Sequence, residues 1–287
     1  MASKLKSIRG TEYIDERDSR YINDRVHANI QKDGTFSVIP RVYGGVTTAD
    51  DRIRIGTVAK KHNVPMIKYT GGQRIDLLGI MKDDLPKVWA DLGMPSGYAY
   101  TKALRTVKTC VGSEYCRYGT NDSTSLGIAL EKRFQGFEFP AKVKLGVSGC
   151  PRNCAESTVK DVGVIATEGG EWEISVGGAA GAHMRKSDVL CRVKTQEEAM
   201  QVIGLFLIYY RDNAKWIERT YDFAPRVGMD KLKDILVNDS LGLCAELDAE
   251  VTKTMAAYVD PWLERDNPVY AGQFEDVRTV PLPMVTA

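Results

Sequence analysis

Four of the six cysteines form two pairs whose spacing suits metal or redox chemistry. Cys110 and Cys116 form a C-x5-C pair, and Cys150 and Cys154 form a later C-x3-C pair. Thiolates are preferred ligands of soft metal ions and iron–sulfur clusters. The chain has only three histidines, so cysteine must supply most ligands of any metal site.

The spacing of the two pairs leaves three interpretations open. Cys150 and Cys154 are spaced i, i+4, which predicts one helical turn that starts near Pro151, with its positive end beside the thiolates. The first pair is too widely spaced for one turn and is predicted to lie on a loop. The alternatives are unrelated buried thiols, a zinc site whose C-x5-C half is unusually wide, and a four-cysteine iron–sulfur cluster without the tight ferredoxin spacing.

The elements before the first pair predict a small α+β domain at residues 34–98. The 287-residue length suits two domains, and 43% hydrophobic residues are typical of a globular protein. Residues 1–33 are polar and are predicted to form a helix or arm. Apolar spacing and turn signals then predict the following strands and helices: strands at Thr35–Arg41, Met66–Tyr69 and Ile75–Ile80, and helices at Asp51–His62 and Lys82–Leu92.

A second domain at residues 101–243 must position both cysteine pairs. Asp122 or Ser123 can cap a helix that ends at Phe134. Residues 244–287 are predicted to be a tail with one helix, Ala245–Tyr258, followed by proline-rich coil. The other predicted elements are strands at Val143–Val147, Val162–Thr167 and Trp172–Val176, and a long helix at Gln196–Tyr221.

The residues around both cysteine pairs resemble the paired signature of the sirohaem-containing nitrite and sulfite reductases. The signature segments are Thr106–Gly119 (TVKTCVGSEYCRYG) and Gly146–Glu156 (GVSGCPRNCAE). Within that family the chain is most similar to the C-terminal catalytic part of the NAD(P)H nitrite reductase large subunits, over residues 30–243. Four further segments carry the resemblance: IPRVYGG (Ile39–Gly45), TGGQRIDLLGI (Thr70–Ile80), KDVGVIAT (Lys160–Thr167) and SVGG (Ser175–Gly178).

The resemblance implies a ferredoxin-like half-domain followed by a sirohaem/[4Fe–4S] α/β domain. It implies that Cys110, Cys116, Cys150 and Cys154 hold a [4Fe–4S] cluster, and that Cys154 also binds the sirohaem iron. The implied activity is the six-electron reduction of nitrite to ammonium, in which the cofactors carry the chemistry. A sulfite reductase with the same cofactors is one alternative, and an iron–sulfur electron-transfer protein without sirohaem is another.

An anionic substrate and a carboxylate-rich cofactor both require cations, and arginine suits paired contacts with carboxylates. The resemblance puts Arg41 over the open face of the sirohaem. It matches Lys142 and Lys144 to a Lys-x-Lys pair of the family. Arg74 departs from the family pattern, because Gly72-Gln73-Arg74 stands in place of the usual Asn-Arg at this turn. These four residues are the predicted catalytic cations. The predicted cofactor-binding residues, besides Cys154, are Arg117, Arg152, Gly177, Gly178 and Arg185.

Several single residues either depart from the family pattern or are expected to have a structural role. Ala179 stands where the family has an asparagine against the cofactor. We interpret Cys191 and Cys244 as buried thiols, and His183 as a surface or structural residue rather than a proton donor near the cofactor. His27 and His62 are interpreted as structural.

The partners expected from the sequence are nitrite and a separate electron donor. A net charge of +1 argues against nucleic acid, and the longest apolar run is too short for a membrane span. The chain has no G-x-G-x-x-G motif, so we expect electrons from a flavoprotein or iron–sulfur module, with a small nitrite reductase subunit as a further partner. We expect the catalytic half alone, as a fragment or split-gene product in the cytoplasm. We expect a partner chain, either a different chain or a second copy of this one, to complete the sirohaem pocket.

Overall fold

The computed structural model describes residues 4–5, 14–15, 28–98 and 102–260. At the N-terminus, β1 (Lys4–Leu5) and β2 (Ile14–Asp15) pair antiparallel. The coil predicted after Tyr258 lies almost entirely outside the described residues. None of the helices in the described part of the chain is long and apolar enough to cross a bilayer.

The first domain is a four-stranded antiparallel sheet covered by two helices. The strand order is β3-β4-β6-β5. The strand β3 lies inside the segment predicted to be an arm, so that prediction is wrong at its C-terminal end. The elements are β3 (Ala28–Ile30), β4 (Phe36–Val38), α1 (Ala49–Lys61), β5 (Met66–Tyr69), β6 (Ile75–Ile80) and α2 (Leu85–Leu92).

Local sequence explains where the two helices of this domain begin and end. Thr48 and Asp51 form a reciprocal capping box at the start of α1. Gly93 ends α2 with φ 54°, a left-handed conformation that suits glycine. The helices bury Ile55, Val58 and Trp89 against the sheet, so this domain has a hydrophobic core of its own.

The second domain is a five-stranded mixed sheet with strand order β11-β10-β9-β8-β7. The strands β7, β8 and β9 are parallel, and the remaining pairs are antiparallel. Helices α4 and α5 pack against this sheet and bury a large apolar core. The elements are β7 (Lys108–Thr109), α3 (Gly112–Tyr115), α4 (Ser123–Phe134), β8 (Leu145–Ser148), β9 (Val162–Ala166), β10 (Trp172–Val176), β11 (Asp188–Val193) and α5 (Gln196–Asn213), followed by α6 (Thr220–Val227), α7 (Met229–Leu236) and α8 (Cys244–Ala256).

The long helix predicted to reach Tyr221 is wrong beyond Asn213. Glu218 organises the connection that interrupts it, because its carboxylate accepts a hydrogen bond from the Lys215 amide at 2.7 Å and pairs with Arg226. The hydroxyl of Tyr210 also donates to the Glu218 carbonyl oxygen at 2.5 Å. These polar contacts hold a turn that the apolar spacing of the sequence does not indicate, and a separate α6 follows.

Candidate cluster and anion site

Both cysteine pairs lie at one end of the parallel strands of the second domain. Cys110 follows β7 directly. The strand β8 ends at Ser148, and Gly149 and Cys150 come next in the chain. A Cβ atom on Gly149 would lie 2.8 Å from the Cα of Gly112, which is closer than real contacts allow. Glycine at this position therefore lets the two cysteine loops pack against each other.

The helical turn predicted for Cys150 and Cys154 is wrong. The segment forms two consecutive turns, in which the amides of Asn153 and Glu156 donate to the carbonyls of Cys150 and Asn153. Asn153 has φ 58°, and its side-chain oxygen accepts from the Ser157 amide at 2.6 Å. Asparagine tolerates this left-handed conformation and stabilises the turn with its own side chain. The thiols consequently differ in environment, with Cys150 buried and Cys154 exposed.

The sulfur of Cys110 accepts a hydrogen bond from the backbone. The Gly149 amide donates to Sγ at 3.2 Å, and the Ser123 hydroxyl, which donates to the Cys110 carbonyl oxygen, lies 3.2 Å from the same sulfur. Such donors stabilise thiolates and tune the potential of iron–sulfur clusters. Within residues 28–98 and 102–260, no three His, Cys, Asp or Glu side chains converge as the ligands of one metal ion do. Cysteine thiolates are the ligands that iron–sulfur clusters use in proteins, so the residue types of this donor set fit such a cluster.

Two arginines from the cysteine loops stack on one exposed tyrosine. The guanidinium carbons of Arg117 and Arg152 lie 4.7 Å and 3.7 Å from the ring centroid of Tyr118. Arg117 lies on the first cysteine loop and Arg152 on the second. Tyr118 therefore joins the two loops and places two positive charges beside the cysteines.

Lys142 and Lys144 lie in the segment that leads into β8, with their side chains exposed. They alternate with the buried residues Val143 and Leu145. Further along the same face, a Cβ atom on Gly146 would lie 3.0 Å from Lys160 Cγ, so the connection from β8 to β9 crosses here. That connection contains Cys150 and Cys154 and therefore links the cysteine loops to the two lysines.

Lys142 and Lys144 lie near enough to three arginines for the arginine charges to act on them, and we call these five residues the cationic cluster. Desolvation by the surrounding protein lowers the pKa of Lys142 and of Lys144, and the neighbouring cations lower both further, while Asp161 opposes the shift. The charged forms of Lys142 and Lys144 are therefore disfavoured by their surroundings, and a bound anion would stabilise them. Its members are Arg74, Arg105, Lys142, Lys144 and Arg219.

Asp161 organises the cluster from a fully buried position. Both of its carboxylate oxygens accept from Arg219 Nη2 at 2.9 Å. It also accepts from the Lys144 amide at 2.8 Å and from the Thr220 hydroxyl at 2.5 Å. Nε of Arg219 is buried and has no hydrogen-bond partner among the described residues. One guanidinium donor thus stays available after Asp161 has fixed the side chain.

The structure places Arg41 outside the cationic cluster. Its side chain is fully buried, and Nη1 donates to the buried carboxylate of Glu131 at 2.7 Å. The other oxygen of Glu131 accepts from the amides of Gly44 and Val107, both at 2.9 Å. Arg41 thus contributes to an ion pair between the two domains, and it does not present an open charge at a cofactor face as the sequence led us to expect.

The predicted glycine segment packs beside Asp161. The Gly177 amide donates to the Asp161 carbonyl, and a Cβ atom on Gly178 would lie 2.5 Å from the Lys160 carbonyl oxygen. Arg185 donates to the Gly177 carbonyl at 2.6 Å and pairs with Asp188. Arg185 therefore supports this segment from the protein side, and part of its charge is neutralised.

Sequence reasoning missed Arg105, Arg219 and Glu131. A signal for Glu131 was present, because it lies on the buried face of α4 beside Leu130 and Phe134. A charged residue on an apolar face indicates a buried partner. Arg105 and Arg219 carry no comparable signal, since they are distant in sequence and only the fold brings them together.

The chain matches two family profiles and resembles known reductases over most of its length. The profile described as "Nitrite and sulphite reductase 4Fe-4S domain" matches residues 100–242, and "Nitrite/Sulfite reductase ferredoxin-like half domain" matches residues 29–94. "Nitrite reductase [NAD(P)H]" of Bacillus subtilis is 52% identical over 96% of this chain and 34% of that protein. The chain therefore spans about a third of this relative.

Another relative is matched over almost all of its length. "Sulfite reductase, assimilatory-type" of Nitratidesulfovibrio vulgaris is 37% identical over 73% of this chain and 96% of that protein. The solved structure of the Mycobacterium tuberculosis NirA protein superposes with a TM-score of 0.68 at 18% identity, covering 80% of this chain and 48% of that one. These comparisons confirm the predicted fold class, a ferredoxin-like half-domain followed by a 4Fe-4S domain.

Proposed function

The chain belongs to the nitrite and sulphite reductase family, and we propose that it is the catalytic part of a nitrite reductase that forms ammonium. The observation that carries the proposal is the connection from β8 to β9, which starts in the cysteine loops and ends at the cationic cluster. A ligand set for redox cofactors and a receptor for an anion are thus parts of one continuous segment. The nitrite reductase relative, at 52% identity, supports nitrite as the substrate.

The cysteines would hold a [4Fe–4S] cluster, with the exposed Cys154 as the shared ligand of a sirohaem. When bound, these cofactors would pass the six electrons from the electron donor to nitrite in successive steps and would supply the metal at which the nitrogen–oxygen bonds break. Cys110 fits the cluster because its sulfur already accepts a hydrogen bond from the backbone. The exposure of Cys154 fits a thiol that must reach a second group.

The cationic cluster would bind nitrite and the carboxylates of the sirohaem. Lys142 and Lys144 are the proposed substrate cations, because desolvation and neighbouring charge make an incoming anion favourable there. Their lowered pKa values also suit them to give protons to oxygen atoms that leave as water. Arg74, Arg105 and Arg219 would fix the anions in place. Arg117 and Arg152 are proposed to contact sirohaem carboxylates from the cysteine loops, and Gly177 and Gly178 to border the macrocycle.

Sulfite reduction is the second candidate. The observation that favours it is the N. vulgaris sulfite reductase, 96% of which is covered by this chain. The cationic cluster suits either anion, so the ratio of kcat/KM for nitrite and sulfite decides between the two. A ratio in favour of sulfite would replace the nitrite proposal.

The electron donor is proposed to be a separate flavoprotein or iron–sulfur module, with a small nitrite reductase subunit as a further partner. The "Nitrite reductase [NAD(P)H]" of Bacillus subtilis is about three times as long as the region that matches this chain. Electrons can therefore enter through parts outside this chain. The pure chain should reduce nitrite with reduced viologen and should not use NADH alone.

The proposal is tested by cofactor content and product analysis of the anaerobically purified chain. We expect about five iron atoms per chain (four in the cluster and one in the sirohaem), about four sulfide ions, a sirohaem Soret band, and ammonium as the product. Serine at Cys110, Cys116 or Cys150 should abolish the cluster, whereas Cys191→Ser, a matched change of a thiol outside the pairs, should retain it. A cluster without a Soret band would identify an electron-transfer protein instead, and full cluster content in one of the three variants would remove that cysteine from the ligand set.

A further inference from the structure

One side chain of the first domain pairs with the edge strand of the second. The strand β7 lies at the end of its sheet, and Gln73 bonds to Thr109 there. Its Nε2 donates to the Thr109 carbonyl at 2.8 Å, and its Oε1 accepts from the Thr109 amide at 2.9 Å. A primary amide presents the same donor and acceptor as a peptide group, so Gln73 pairs with β7 as a neighbouring strand would.

The backbone holds Gln73 in a conformation that glutamine rarely adopts. Its φ is 59°, and its amide donates to the Thr70 carbonyl at 3.0 Å within the hairpin turn between β5 and β6. A Cβ atom on Gly45 would lie 2.6 Å from Gln73 Oε1, so glycine makes room for the side chain. Such uncommon conformations cost free energy and persist where the surroundings require them, often at functional sites.

Gln73 lies between the two halves of the proposed site, with its side chain on one half and its chain neighbour in the other. Thr109 immediately precedes the cluster ligand Cys110, and Arg74, the next residue after Gln73, belongs to the cationic cluster. A second bond reinforces the junction, because the Thr109 hydroxyl donates to the Gly44 carbonyl at 2.6 Å. A displacement of Gln73 would therefore move Arg74 and release the strand that carries Cys110.

We propose that Gln73 is a positioning residue that fixes Cys110 and Arg74 relative to each other, and so aligns the cluster with the anion site. The inference rests on the proposed function, since it requires that Cys110 binds the cluster and that Arg74 acts on the anion. Gln73 itself contacts neither the proposed cluster nor the anion. Its effect passes through the backbone of Thr109 and through its own chain neighbour.

The first test replaces the amide with an apolar group of similar length. Gln73→Met in the cofactor-loaded chain should keep its iron and sulfide but lose hydrogen-exchange protection at the Thr109 amide by roughly 10-fold, as expected for two lost hydrogen bonds. The electron paramagnetic resonance spectrum of the reduced cluster should change, and the KM for nitrite should rise. Gln135→Met is the matched control, because Gln135 accepts another interdomain hydrogen bond, from Tyr43 at 2.9 Å, away from β7.

The second test uses pH to restore the hydrogen bonds between residue 73 and Thr109. A protonated carboxyl donates and accepts like an amide, so Gln73→Glu should regain the wild-type cluster spectrum as the pH is lowered and lose it as the pH is raised. If Gln73→Met does not fold, this variant alone decides. The inference is overturned if Gln73→Met matches Gln135→Met in both spectrum and protection, or if the Gln73→Glu spectrum ignores pH. If the wild-type chain binds no cluster, the proposed function fails instead.

Discussion

Arg41 and Lys144 carry the same charge but lie in opposite electrostatic environments. Arg41 is fully buried and bonded to Glu131, whose carboxylate also accepts two amide hydrogen bonds. Lys144 is exposed beside other cations, and its pKa is lowered because desolvation by the surrounding protein and the charge of Lys142 both disfavour its charged form. The difference indicates that a neutralised cation stabilises the fold, whereas a cation without its own counter-ion is available to bind an anion.

The largest expected effect is a loss of stability when the buried pair is broken. Arg41→Met leaves the Glu131 carboxylate buried without its cation, so we expect unfolding to become easier by about 3–5 kcal/mol. Replacing both residues, as Arg41→Met with Glu131→Leu, should recover much of that loss because no buried charge remains. Urea unfolding of the two variants measures both values. A single Arg41→Met change within about 0.5 kcal/mol of wild type would show that the pair is unimportant for the fold.

The next effect concerns substrate binding. Lys144→Gln removes one desolvated charge from the cationic cluster, so the KM for nitrite should rise roughly 10- to 100-fold, as for a lost charged contact. Lys253→Gln, at an exposed position on α8, is the control for a general loss of positive charge. Steady-state assays with reduced viologen make the measurement. Equal effects of the two variants would mean that overall charge, and not this site, attracts the anion.

A smaller effect is a shift of nitrite binding with pH. Because the pKa values of Lys142 and Lys144 are lowered in the folded chain, these lysines lose charge at a lower pH than an exposed lysine does. Nitrite affinity should therefore fall as the pH rises through that range, while stability without the anion should rise, since the unfolded chain then binds more protons. Affinity measured across alkaline pH tests the sign. An affinity that increases with pH would contradict the assignment of these lysines.

Much of the fold was predictable because its elements have strong local signals. The strand Ile75–Ile80 was predicted to the residue, and the helix predicted to be capped by Asp122 or Ser123 is capped by Asp122 and ends at Phe134 as predicted. The predictions failed where side-chain hydrogen bonds override spacing, as at Asn153, which turns the chain between two cysteines, and at Glu218, which follows the end of α5. Periodicity describes which face is apolar, and it contains no information about these polar contacts.

The candidate site was predicted unevenly for a related reason. The prediction of the four cysteines as cluster ligands rests on spacing and flanking residues within short segments. The cationic cluster, however, is assembled from both domains, and Arg219 is known to belong to it only because Asp161 binds it in the folded chain. For Arg41 the sequence shows the charge but not Glu131, 90 residues later, which neutralises it.

The most direct test of the account is a nitrite titration of the cofactor-loaded chain, in which the change in visible absorption measures binding. Two double variants are compared: Lys142→Gln with Lys144→Gln, and Arg41→Met with Glu131→Leu. We expect the lysine variant to raise the dissociation constant for nitrite by roughly 100-fold or more with cofactor content unchanged, and the ion-pair variant to bind nitrite like wild type. The account is contradicted if the lysine variant binds nitrite normally while loss of the Arg41–Glu131 pair abolishes binding.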